Sequence, residues 1–77
     1  MDTEFLEIQS YTIASDVGDR DGIGVEYYCH GKMIMEIFRD DTKKTREVTL
    51  YEKELPLALV EKAIKIFKKE IPEEFED

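Results

Sequence analysis

The residues best placed to do chemistry are three aspartates in residues 15–24, SDVGDRDGIG, which also hold three glycines. A calcium loop of the EF-hand type needs oxygen ligands at positions 1, 3, 5 and 12, with glycine at position 6. When Asp19 and Asp21 take positions 3 and 5, Val17 and Tyr28 fall at positions 1 and 12, so two ligands are missing. A phosphate-binding loop would need Lys-Ser or Lys-Thr after the glycines, and neither follows. We therefore predict a polar turn here, with no metal and no cofactor.

Cys29 and His30 are neighbours, a pair that suggests metal binding or nucleophilic catalysis. They lie in or beside a predicted strand, where successive side chains point to opposite faces and cannot converge on one atom. Carboxylates are abundant in this acidic chain, and no hydrolase, kinase or dinucleotide motif accompanies them. The sequence therefore predicts no catalytic residue, and we expect a protein that is not an enzyme.

Charge is distributed unevenly along the 77 residues, which carry a formal net charge of −8. Residues 1–26 hold seven acidic residues and one basic residue, whereas residues 27–53 hold five acidic and six basic residues. Nucleic-acid binding by the whole surface is disfavoured, because an acidic protein repels phosphates. The single cysteine, and the absence of a secretion signal or a long apolar run, predict a cytoplasmic protein without a membrane segment.

Four segments have the β-branched and aromatic composition of strands, and turn residues separate them. Gly31 predicts a tight hairpin turn between the second and third segments, and a polar hairpin loop precedes the fourth. The sequence therefore predicts an antiparallel sheet. Its four strands are residues 4–13, 23–29, 32–38 and 46–51.

A helix is predicted over residues 56–70, because Pro56 suits the first helical turn and Pro72 cannot continue the hydrogen-bond ladder. The order ββββα predicts an α+β fold, with this C-terminal amphipathic helix packed on one face of the sheet. Residues 1–77 should form a single domain, and we expect the acidic tail, residues 72–77, to be frayed. The apolar side of the helix is predicted to contain Leu59, Val60, Ala63, Ile64, Ile66 and Phe67.

Strand parity predicts an exposed apolar patch on the sheet face opposite the helix. One helix can cover only one side of a four-stranded sheet, so large apolar side chains on the other side are left for a partner. Three glutamates, Glu26, Glu36 and Glu47, share that second face. The residues predicted to form the interaction surface are Tyr28, Ile34, Phe38 and Tyr51.

The stretch GKMIMEIF, residues 31–38, resembles the turn Gly-Lys, apolar residues, acid and isoleucine of the positive cofactor four family of single-stranded-DNA-binding coactivators. The order of strands and closing helix over residues 23–71 is similar as well. Membership would imply a homodimer built through the helix and adjacent strands, with a strand surface that grips a single strand. The cations that could then meet phosphates are Lys32, Arg39, Lys43, Lys44 and Arg46.

Three functions stay open on these grounds. The first, which we favour, is a non-enzymatic interaction module that is homodimeric through the apolar sheet face or the helix. The second is weak binding of single-stranded nucleic acid by the aromatic residues and the basic hairpin loop, which predicts a steep loss of affinity with salt. The third is an acidic inhibitor or immunity-type protein that offers its Asp-rich first third to a basic partner.

Overall fold

The computed structural model describes residues 6–18 and 20–76 of the chain. Four antiparallel strands pair in their sequence order to form one open sheet, and one helix follows them. The predicted ββββα order and the α+β class are therefore confirmed. The elements are β1 (Ser10–Asp16), β2 (Gly22–Cys29), β3 (Lys32–Asp40), β4 (Thr45–Leu50) and α1 (Leu57–Glu70).

The largest difference from the sequence-based boundaries is at β1, which begins six residues later than predicted. Ser10 pairs with Tyr28 and Asp16 pairs with Gly22, so the strand also extends three residues past its predicted end. Leu6 lies outside the sheet ladder and is buried in the hydrophobic core. The apolar residues that made 4–13 resemble a strand thus include a core anchor, while residues 4 and 5 lie outside the described residues.

The hairpin turn predicted at Gly31 is confirmed. Cys29 and Lys32 are register partners, which leaves His30 and Gly31 as a two-residue loop. Both loop residues have positive φ, 54° for His30 and 75° for Gly31. This pattern is that of a type I′ turn, whose twist matches the twist of the strands it joins. The exposed His30 lies in the turn and the buried Cys29 in the core, so the pair forms no common site.

An irregularity in the β2–β3 pairing places Ile34 on the core side of the sheet, not on the opposite face as predicted. Tyr27 pairs with Met35 but Tyr28 pairs with Met33, so Ile34 is an extra residue in β3. Such a bulge interrupts the alternation of side chains between the two faces. Ile34 is accordingly buried in the same core cluster as Tyr27 and Met35. It therefore does not belong to an exposed patch beside Tyr28.

The helix covers the two central strands, β2 and β3. Its buried side chains, Leu59, Ala63 and Phe67, are spaced four residues apart and form one stripe, as the apolar periodicity predicts. The Tyr27 hydroxyl donates a hydrogen bond of 2.6 Å to the Ala63 carbonyl, and burial raises the pKa of this phenol. Among the described residues, no helix combines the length and apolar character that a membrane crossing requires.

Gly24 is required by a close approach of two strands rather than by a turn. It pairs with Phe38, and a Cβ placed at Gly24 would lie 2.6 Å from the Ile37 carbonyl oxygen and 2.8 Å from the Phe38 ring. Both distances are below normal contact. The glycine therefore lets the Phe38 side chain lie close against β2.

We expect Gly24→Ala to lower the free energy of unfolding by about 1–3 kcal/mol through this overpacking. The matched control is Gly18→Ala, because the nearest atom to a Cβ there is an Asp16 carboxylate oxygen at 3.4 Å. Urea denaturation of both variants measures the difference. Equal stabilities of the two variants would contradict the packing described for Gly24.

Candidate functional site

On the second face of the sheet, the Arg20 side chain reaches back from the β1–β2 loop and covers Glu36 and Phe38. Its guanidinium donates two hydrogen bonds to the Glu36 carboxylate, at 2.9 and 3.2 Å. The same group lies over the Phe38 ring, with 3.9 Å between Cζ and the ring centroid. A third contact, of 3.4 Å, joins Nε to Asp16. Arg20 thus pairs a buried carboxylate and shields a buried aromatic ring.

The predicted interaction surface is therefore not assembled as an exposed patch. Ile34 is in the core, and Phe38 is buried beneath Arg20. Tyr28 is half-buried, and its hydroxyl donates to Glu26 at 3.0 Å. Only Tyr51, which directly follows β4, is largely exposed. The bulge in β3 takes Ile34 into the core, and Arg20 covers Phe38.

Asp16, in the Asp-rich segment, accepts hydrogen bonds both from its own turn and from Arg20. The Gly18 N–H donates to Asp16 at 2.9 Å, which is the polar turn predicted for the segment. This N–H and, after it, Arg20 lower the pKa of Asp16, while the hydrogen bonds to Glu36 raise the pKa of Arg20. The hydrogen bond to Glu26 raises the pKa of Tyr28. Asp19, a member of the predicted turn, lies outside the described residues.

Arg20→Ala should lower the free energy of unfolding by about 2 kcal/mol, less than is typical of a fully buried pair because the Arg20 side chain is 35% exposed. Arg20→Lys should restore little of this loss, since an ammonium cannot pair bidentately and stack on the ring together. Lys65→Ala, on the exposed side of α1, is the control and should change little. Full rescue by lysine in denaturant titrations would contradict the stacked geometry.

Each cation proposed to meet phosphates already contacts a group of this chain. Lys32 pairs with Glu52 at 3.0 Å, and Lys43 pairs with Glu47 at 2.8 Å. The Lys43–Glu47 hydrogen bond raises the pKa of the amine and lowers that of the carboxyl. The other three cations, Arg39, Lys44 and Arg46, contact the C-terminal tail or the acids beside it.

The tail, predicted to be frayed, lies against the end of the β3–β4 hairpin. Arg39 is buried and donates to Asp41 at 2.9 and 3.2 Å and to the Pro72 carbonyl at 2.9 Å. Asp41 also accepts a hydrogen bond of 3.1 Å from the Glu76 N–H. Arg39 is the largest cause, and the Glu76 N–H a smaller one, of the lowered pKa of Asp41. Residues 72–76 are therefore attached at several points.

Because the pKa of Asp41 is lower in the folded chain, ionised Asp41 stabilises the fold above its usual value of 3.8, and this contribution disappears as pH falls through the lowered value. Asp41→Asn removes the group that titrates. We therefore expect wild type to lose more stability than the variant as pH is lowered below 3.8. Thermal denaturation of both proteins at a series of pH values around and below 3.8 measures this difference. If the two proteins lose stability in parallel, ionised Asp41 does not stabilise the fold.

The exposed apolar surface lies instead beside the helix, on the flank of β4. Val48, Leu50 and Ile64 are 53%, 51% and 39% exposed. We call these three residues the β4–α1 flank. Val48 and Ile64 line a groove of about 440 Å³. Its lining is mostly apolar with three charged residues, and consists of Ile37, Val48, Ile64, Phe67, Ile71, Arg46, Lys68 and Glu73.

Val48 and Leu50 pair with the core residues Ile37 and Met35, and the width of the helix explains why they are nevertheless exposed. A helix is ~10 Å across, whereas the outer strands of a four-stranded sheet lie ~14 Å apart, so one central helix leaves both outer strands partly uncovered. On the other flank, β1 exposes Tyr11 and Ile13. The exposure of both outer strands could have been predicted from the widths of the helix and the sheet. No feature of the sequence indicates the contact of Arg20 with Phe38.

Comparisons of the chain with protein-family models, with curated proteins and with solved structures gave no match. Within residues 6–18 and 20–76, no group of three or more His, Cys, Asp or Glu side chains is arranged to hold a metal ion. Function is therefore inferred from the surfaces described above.

Proposed function

We propose that the protein is a non-enzymatic interaction module that forms a homodimer through the β4–α1 flank. The observation that carries the proposal is the exposure of Val48 and Ile64 on a groove lined mostly by apolar side chains, with Leu50 exposed farther along β4. Apolar groups gathered around a groove are typical of protein interfaces. The sheet face opposite the helix has less support as an interface, because Arg20 covers Phe38 there.

The position of β4 adds a second argument. It is the last strand of the sheet, and among the described strands only β3 pairs with it. An edge strand leaves backbone N–H and C=O groups available to another chain. A second copy that packs on the flank buries apolar side chains and also covers this edge. A specific interface of this kind typically buries ~800 Å² on each partner.

Charge favours the flank over other surfaces for self-association. Two copies that each carry a net charge of −8 repel one another. The groove lining carries two basic residues, Arg46 and Lys68, and one acidic residue, Glu73. Contact there keeps the most acidic surfaces apart. Salt should strengthen this dimer, because it screens the remaining repulsion.

Single-stranded nucleic acid has less support as the ligand. Its backbone would have to replace the contacts that Lys32, Arg39 and Lys43 make with Glu52, Asp41 and Glu47.

We also propose that the protein is cytoplasmic, since its one cysteine is buried and free.

Val48→Glu should convert the dimer to a monomer, because it buries an unpaired carboxylate at the interface. Light scattering at tens of micromolar should give wild type a mass about twice 9.1 kDa. The matched control is Val17→Glu, which makes the same chemical change at a loop residue that is 87% exposed. That variant should stay dimeric.

A monomeric wild type at this concentration in both low and high salt would contradict self-association. A dimer that survives Val48→Glu would contradict its placement on the flank. Dissociation by both variants alike would show that added negative charge, rather than the flank, controls assembly. Binding of labelled oligothymidine, measured in the same samples, should be weak and should fall further with salt.

A further inference from the structure

The C-terminal tail is held on the hairpin mainly through its main chain. The carbonyls of Pro72, Glu73 and Glu76 accept hydrogen bonds from Arg39, Arg46 and Lys44, respectively. No ion pair joins a carboxylate of Glu73, Glu74 or Glu76 to a cation among the described residues. The contacts thus recognise the main chain of a peptide and not only its negative charge.

One side chain of the tail is recognised as well. The half-buried Phe75 ring lies 4.5 Å from the Arg46 guanidinium and 5.8 Å from the Lys44 amine, measured to the ring centroid. A cation over an aromatic face is an attractive contact that a purely acidic segment cannot make. The hairpin therefore selects an aromatic residue at one position of the bound segment.

We propose that Arg39, Asp41, Lys44 and Arg46 form a binding site for an acidic peptide segment that contains phenylalanine. In this chain its own tail occupies the site. The trans ligand is a segment of another protein with the same chemistry, one phenylalanine flanked by acidic residues. The site shares Arg46 with the groove beside β4, but the proposal does not require a dimer through the β4–α1 flank.

A peptide fits the site better than a nucleic acid does. Asp41 accepts the Glu76 N–H at 3.1 Å. A peptide backbone supplies such a donor at every residue except proline, whereas phosphate groups supply none and would be repelled by this carboxylate. The carbonyl acceptors that face Arg39 and Arg46 are likewise ordinary peptide groups.

Part of the site is fixed within the hairpin itself, and the tail can leave without opening the core. Arg39 donates two hydrogen bonds to Asp41 independently of the tail, so little side-chain entropy is lost on binding. Ile71 is the last residue of the core cluster. Beyond it, Pro72, Glu73, Glu74 and Glu76 are all exposed. Exchange of the tail for a trans segment therefore costs only the tail's own contacts.

Occupation by the tail should weaken trans binding to the wild-type chain. Because the tail is covalently linked to the site, its effective concentration there is on the order of millimolar. A trans peptide can bind only those chains whose site the tail has left, so its apparent affinity is reduced in proportion to that fraction. Phe75→Ala in the full chain removes the aromatic anchor of the tail and leaves the site residues intact. The variant should therefore bind trans peptide more tightly than wild type.

The experiment is a fluorescence anisotropy titration of a labelled peptide, Pro-Glu-Glu-Phe-Glu-Asp, with full-length chains. The Phe75→Ala chain should bind with a Kd below ~1 mM, and wild type about fivefold or more weakly. The peptide with alanine in place of its phenylalanine should bind both chains several-fold more weakly, because the stacking contact is lost. Arg46→Ala in the Phe75→Ala background should weaken binding of the original peptide in the same way.

The control chain is Leu57→Ala, which shortens a 73% exposed apolar side chain outside the tail and the site and should behave as wild type. Circular dichroism establishes that each variant is folded. Equal affinities of wild type and Phe75→Ala for the peptide, or no binding by either below 1 mM, would overturn the proposal. Tighter binding of oligothymidine than of the peptide by the Phe75→Ala chain would overturn the peptide assignment in favour of a nucleic acid.

Discussion

The arrangement of this molecule depends on the contact of Arg20 with Glu36 and Phe38. A single helix covers one side of the sheet, so the other side must be hidden in another way or remain exposed. Arg20 hides Glu36 and Phe38, because its guanidinium pairs the Glu36 carboxylate and lies over the Phe38 ring. Gly24 contributes by leaving space for that ring against β2.

Closing this face determines which surfaces remain for partners. Apolar side chains stay exposed on the outer strands, which the helix is too narrow to cover, and on the β4 side Val48 lines a groove. The second surface is the basic end of the β3–β4 hairpin, where the tail supplies carbonyls and Phe75 and where Arg46 also lines the groove. The groove is mostly apolar and suits a second copy of the chain, whereas the hairpin end is cationic and suits an acidic segment.

Local patterns were sufficient to predict most of the fold. Proline positions and apolar spacing predicted α1, and Gly31 predicted the turn that His30 and Gly31 form. Strand alternation failed where it meets a bulge, since an extra residue at Ile34 is set by three-dimensional packing and not by a composition signal. The covered aromatic face was missed for a similar reason, because the contact joins residues 16 and more positions apart. The tail was missed because its acidic composition is equally typical of a disordered end.

The central claim, that Arg20 closes the second face by acting on Glu36, is tested most directly by a double-mutant cycle. Arg20→Met and Glu36→Gln, alone and combined, keep the approximate volume of both side chains while removing their charges. The free energies of unfolding should be non-additive, with a coupling energy of about 1–3 kcal/mol between the two residues. Additive effects, within about 0.3 kcal/mol, would show that the two residues act independently and would contradict the account.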